Sequence, residues 1–156
     1  MYKRQSEIAA LAGTGAGARG VDSTDEVEAV LEAAIQLSHA LGSVVAVSGE
    51  VDAIVHVGKE VRIARVSGGS DYMPLVVGTG CSLGGVVAAY LGAVPSDPFA
   101  AVVAAHAHYS AAGTRAAESS RGPGSFAVEF LDALHSVTAA DIAAVGVSYD
   151  TVEVTE

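Results

Sequence analysis

A helix pattern that runs straight into a strand pattern constrains this chain more than any other feature. In "VDSTDEVEAVLEAAIQLSHALG" (21–42), Val27, Val30, Leu31, Ala34, Ile35 and Leu41 fall on one face at helical spacing. Ser23 and Glu26 have the spacing of a capping box, and Gly42 is placed to end the helix. "SVVAVSG" (43–49) follows at once as a short apolar run, the mark of a buried strand. A helix handing over directly to a buried strand predicts an α/β fold.

The remaining pattern extends that unit. "SEIAALA" (6–12) reads as the start of a helix with Ser6 as its cap, followed by the loop "GTGAGARG" (13–20). "DAIVHV" and "VRIARV" flank Gly58-Lys59-Glu60, so residues 52–66 predict a hairpin. "PLVV" (74–77) reads as a strand-like run entering a glycine turn, with a helix from Cys81 to Leu91. Two more helices are predicted over 98–119 and 126–136, separated by "SRGPGS", and "VGVSYDTVEV" predicts an edge strand. Aromatic residues are only 5% of the chain and Trp is absent, so Ala, Val and Leu must do most of the packing. Three or four helices with wide Ala/Val faces thus follow few strands, whereas a doubly wound sheet needs enough strands to lie under all its helices. The chain reads as the later part of a larger α/β domain.

Composition removes several classes of function. The 156 residues suit one domain with a real core. No apolar run reaches the roughly 18–20 residues of a membrane helix. Glu7 interrupts the apolar stretch behind the basic N-terminus, which argues against a signal peptide. A single cysteine rules out an internal disulfide or a multi-cysteine zinc site. These features point to a soluble, cytoplasmic protein. A net charge of −10 weighs against nucleic acid and anionic membrane as partners. With two lysines, Lys3 and Lys59, and six arginines, a bound triphosphate would need backbone N–H groups for much of its attraction.

Two glycine loops are candidates. "GAGARG" (15–20) fits G-x-G-x-x-G, but a helix-like segment precedes it where the dinucleotide fingerprint needs a strand. No G-x-x-x-x-G-K-[ST] is present, which excludes a P-loop. "VVGTGCSLGG" (76–85) has better context, because Gly78-Thr79-Gly80 allow a tight turn and a helix opens at about Cys81. The first N–H groups of a helix have no partner within it and lie at the positive end of its dipole. Such a turn can hold a phosphate or a developing oxyanion without a lysine, or it can be a plain turn. Cys81 sits where that field favours an anion, but a thiol nucleophile also wants a histidine base. Spacing places none of His39, His56, His106, His108 or His135 beside it. His106 and His108, two apart on a helix, make a poor metal pair and read as one buried and one exposed residue. Ser48, Glu50 and Asp52 leave the predicted strand at its carboxyl end, where ligands of α/β sheets collect, although a solvated turn explains the two carboxylates equally well.

"SEIAALAG", "GVDSTD", "VVAVSGEVD", "VVGTGCSLGGVVAAYL" and "GPGSFAVEFLDAL" occur here in an order and spacing that resemble hydroxyethylthiazole kinases, members of the ribokinase-like superfamily. The resemblance runs from about Ser6 to Leu134. It implies a three-layer α/β/α sandwich, shortened at its N-terminal side and carrying a small β-hairpin. It also implies transfer of phosphate from ATP, with Mg2+, to the hydroxyl of 4-methyl-5-(2-hydroxyethyl)thiazole, a step of thiamine biosynthesis and salvage. By the same resemblance Gly78 lines the substrate, Thr79, Gly80 and Cys81 form the anion hole, and Cys81 lies where the catalytic base would be. Many other ribokinase-like kinases carry an aspartate there. Ser48 matches an ATP-contacting position that is commonly threonine in the family, and Glu7 matches a carboxylate near the Mg2+–phosphate region. Family members are longer and form trimers with active sites between subunits.

"MYKRQ" departs from the family's arginine-glycine-asparagine run, with Tyr2 in the arginine's place. The expected organisation is a leader or boundary scar over 1–5, the C-terminal part of a kinase domain over 6–145, and a tail over 146–156. As such a portion the chain is expected to be inactive alone. The alternatives are another ribokinase-like small-alcohol kinase of pyrimidine or pyridoxal type, and a non-catalytic fragment that self-associates through apolar helix faces.

Overall fold

The computed structural model describes residues 2–4 and 23–153. Glu7, the Ser6 helix and the "GAGARG" loop lie outside the described residues. The chain forms two compact units, one drawn from residues 1–65 and 148–156 and the other from 66–147.

The first unit is a sheet with a helix on it. Strands β1 (Tyr2–Arg4), β2 (Val45–Ser48), β3 (Val51–Val57), β4 (Glu60–Ser67) and β5 (Val147–Glu153) lie in the order β1-β2-β3-β4-β5. β1 runs parallel to β2, with Tyr2 opposite Ala46 and Arg4 opposite Ser48. β2 runs antiparallel to β3, with Val45 opposite Val55. The predicted hairpin is β3 and β4, joined at Gly58-Lys59, where the Gly58 N–H donates to the Glu60 carbonyl at 3.0 Å. The predicted edge strand is β5, last in the sheet, where Asp150 pairs with Arg65 of β4.

Helix α1 (Ser23–Leu41) supplies Ala33 and Ala34 to a core completed by Val45, Val47, Val55 and Ile63. Val30, Leu31 and Ile35 pack around it as the periodicity requires. Ala46, Ile54 and Ala64 alternate with those strand residues and are buried as well, which is why β2 reads as continuously apolar. Leu41 departs from the expected face and is 57% exposed. The hydroxyl of Ser38, three residues earlier, already meets the last residue of β3, so Leu41 lies past the strand ends. Gly42 ends the helix as expected, at φ 58°.

Ser38 is fully buried and accounts for both of its hydrogen-bonding roles. Its hydroxyl donates to the Ser43 carbonyl at 2.7 Å and accepts from the Val57 N–H at 2.9 Å. Ser38→Ala strands a buried backbone donor, so it is expected to cost about 1–3 kcal/mol in urea unfolding. A loss under about 0.5 kcal/mol, the range of an ordinary surface change, would contradict this role.

The second unit is helical: α2 (Thr79–Ala93), α3 (Pro98–Ser119), α4 (Pro123–Ser136) and the short α5 (Ala139–Ala143). α3 is central and contacts the other three. It buries residues all round its circumference, among them Phe99, Val102, Ala105, Tyr109, Ala112 and Ala116, and its alanines let the neighbours come close. Pro98 opens it and the Asp97 carboxylate accepts from the Ala100 N–H at 3.1 Å. Phe126 and Phe130 of α4 stack at 5.5 Å between ring centres, and Tyr109 meets Phe130 edge-on at 4.8 Å.

Two local expectations change here, and one helix is added. "PLVV" forms no strand: Met73–Leu75 is a 3-10 turn with Pro74 in its first positions, where a missing N–H costs nothing. His106 is buried, but His108 is half-buried rather than exposed. Its Nε2 lies 3.0 Å from the Leu134 carbonyl, which can only accept, so Nε2 carries a proton, and Nδ1 lies 2.9 Å from the Tyr90 hydroxyl. Burial pushes the Tyr90 hydroxyl above the usual tyrosine value. Helix α5 starts at a capping box formed by Thr138 and Asp141, a signal present in the sequence at a spacing of three. Hydrogen bonds from the Thr138 N–H and hydroxyl, both 2.8 Å, hold the Asp141 carboxyl below the usual carboxylate range, and Arg115 adds to this.

Candidate functional site

The site is the turn that opens α2. Gly78 stands at the N-cap with φ 99°, in the left-handed region where a side chain is strained, and an added Cβ would meet nothing within 4 Å. No side chain caps this helix. The N–H groups of Thr79, Gly80 and Cys81 therefore open the helix without an intrahelical partner, and among the described residues none accepts from them. The Ser82 N–H, next along, closes the first helical bond to the Gly78 carbonyl at 2.9 Å. Three successive N–H groups without an acceptor among the described residues, at the positive end of a helix dipole, are able to hold an anion.

The turn is held from beneath. The Thr79 hydroxyl donates toward the Met73 and Val76 carbonyls, at 3.0 and 3.1 Å, which ties the helix start to the 3-10 turn before it. On the other side the Ser82 hydroxyl lies 3.1 Å from the Gly78 carbonyl, 3.0 Å from the Thr79 carbonyl and 2.6 Å from the Tyr109 hydroxyl. Tyr109 itself donates to the Thr79 carbonyl. Spacing gave no sign of Tyr109, which is 30 residues from its partner; only the fold brings them together.

Gly78 is the N-cap of α2, and Thr79, Gly80 and Cys81 are its first three residues. Cys81 is a free, exposed thiol, and among the described residues no histidine is hydrogen-bonded to it. Ser48 belongs to the other unit, at the carboxyl end of β2. Just beyond it the Asp52 carboxylate accepts from the Gly49 N–H at 3.0 Å and so shapes the β2–β3 turn, while Glu50 is exposed. A shallow cavity of about 530 Å³ in the helical unit is lined by residues 69–72, Thr114 and Ala117.

A sheet carrying a helix, followed by helices of which one opens on a glycine turn, makes this an α/β chain. Backbone comparison agrees: a hydroxyethylthiazole kinase from Pyrococcus horikoshii superposes with a TM-score of 0.75 at 26% identity, over 94% of this chain and 52% of that one. The sequence profile of the hydroxyethylthiazole kinase family matches residues 3–140, and the chain belongs to that family. Among similar proteins, hydroxyethylthiazole kinase of Corynebacterium glutamicum is 56% identical over 141 residues, 88% of this chain and 52% of the relative. That of Corynebacterium efficiens is 53% identical over 135 residues, 85% of this chain and 49% of the relative. The chain spans about half the length of the curated relatives it matches.

Proposed function

We propose that this chain carries the phosphate-binding side of a kinase that transfers the terminal phosphate of ATP to the hydroxyl of 4-methyl-5-(2-hydroxyethyl)thiazole. The observation that supports it most is the run of open amides from Thr79 to Cys81, set on a family match covering most of the chain. Phosphoryl transfer has a loose transition state and depends on positioning and charge neutralisation more than on a strong base. Backbone donors aimed at the transferred group suit a chain with so few lysines.

In this reading Gly78 leaves room for the alcohol, and the Thr79, Gly80 and Cys81 amides hold the phosphate oxygens. The Cys81 thiol lies at the place of the proton acceptor, and Ser48 offers its hydroxyl to ATP. Among the described residues no group of three His, Cys, Asp or Glu side chains could hold a metal. Glu7 is the candidate carboxylate that would hold the Mg2+ accompanying the nucleotide. The charge of that ion would supplement the amides.

We further propose that the protein works in the cytoplasm; among the described residues no helix is long and apolar enough to cross a membrane. Association of copies, as trimers, would cover Val128 and Leu131, three apart on α4 and each more than 60% exposed.

The test is product formation from ATP–Mg2+. The chain is assayed alone and together with the segment of the Corynebacterium glutamicum relative that lies outside the matched stretch. Phosphorylated thiazole alcohol, with no turnover of pyrimidine or pyridoxal-type alcohols, is the expected outcome. Preference for either of those alcohols, or no transfer in both mixtures, counts against the proposal.

A further inference from the structure

We infer that the buried hydroxyl of Tyr109, acting with Ser82, aims the amides of the α2 helix start at the bound phosphate, a positioning role that rests on the phosphoryl-transfer reading above. A trans peptide is planar, so the carbonyl of one residue and the N–H of the next point in opposite directions in one rigid plane. The Thr79 carbonyl shares its plane with the Gly80 N–H. A hydrogen bond from Tyr109 to that carbonyl therefore fixes the direction of the Gly80 donor. In the same way the Ser82 hydroxyl, 3.1 Å from the Gly78 carbonyl, bears on the plane that carries the Thr79 N–H.

The turn needs such help. Thr79 lies between two glycines, the residue type with the most backbone freedom to lose, and among the described residues no atom beyond its chain neighbours lies within 4 Å of where a Gly78 Cβ would sit. Tyr109 can give that help because it is itself immobile. It is 3% exposed on the most buried helix of its unit, and its ring is fixed edge-on against Phe130. Each hydroxyl carries one proton, so Tyr109 and Ser82 together have two protons for the Gly78 and Thr79 carbonyls and for their own 2.6 Å contact. Removal of the tyrosine oxygen leaves one. Donors that stabilise developing charge must be in place beforehand, within about 0.5 Å of the productive geometry.

Tyr109→Phe keeps the ring against Phe130 and deletes only that oxygen. Nuclear magnetic resonance relaxation on the ligand-free chain should show the Gly80 amide order parameter falling from near the rigid value of about 0.85 toward about 0.6, with the rest of α2 unchanged. Affinity for ATP–Mg2+ should fall about tenfold, the size expected when one aimed donor is loosened rather than lost. Ser82→Ala should act in the same direction at Thr79, and it decides alone if Tyr109→Phe does not melt cooperatively. Unchanged order at Thr79 and Gly80 in both variants overturns the inference, as does lowered order with affinity unaltered. If the parent chain does not bind ATP–Mg2+, the phosphoryl-transfer reading fails first. Any loss of order in the variants then shows a structural brace and no positioning role.

Discussion

Gly80→Asp is expected to lower affinity for ATP–Mg2+ by about a hundredfold or more while leaving the fold at least as stable. The two effects have opposite sign for one reason. Gly80 lies in the first turn of α2 and is not among the glycines with positive φ, so the backbone itself puts no strain on an aspartate. Its carboxylate would meet the open N–H groups and the positive end of the dipole, which stabilises a helix by about 0.3–1 kcal/mol. The same carboxylate would occupy the helix start and repel a phosphate. Calorimetric titration and a thermal melt on one preparation separate the two. Affinity preserved beside a raised melting temperature would show that the phosphate binds elsewhere.

Phe126→Ala is expected to cost about 3–5 kcal/mol, a large fraction of the 5–15 kcal/mol that holds a typical domain together. Phe126 is fully buried, stacked on Phe130 and within 5.6 Å of the Tyr72 ring. Aromatic residues are scarce in this chain, and the alanines and valines nearby are too short to refill the space. The void also removes support from Phe130, against which Tyr109 is set. Urea unfolding should show a lower midpoint at an unchanged slope. A cost near 1 kcal/mol would mean that α4 collapses into the cavity and that the aromatic stack is not what fixes the helical unit.

The helix-to-strand handover at Gly42, the hairpin and the span of α3 were legible because each rests on local periodicity and punctuation. Pro98 and Asp97 start α3 by rules that operate within one turn. "PLVV" misled for the same kind of reason. Its apolar run fits a strand, but Pro74 sits in a 3-10 turn that the Thr79 hydroxyl closes through Met73 and Val76. The helix start itself was legible in "GTGC", since a glycine turn rests on adjacent residues alone. Tyr109 and Ser38 were not. Both are polar groups whose partners lie far along the chain, 30 and 19 residues away, and no spacing rule connects them. Leu41 shows the complementary limit: periodicity assigns a face, and only the length of the strands beneath decides how far that face is covered.

If the Thr79, Gly80 and Cys81 amides receive the phosphate of ATP, the backbone amide resonances of the nitrogen-15-labelled chain report it in an ATP–Mg2+ titration. These three amides are expected to shift most and to saturate together. Saturable binding that moves amides elsewhere and leaves these three in place would contradict that placement of the phosphate.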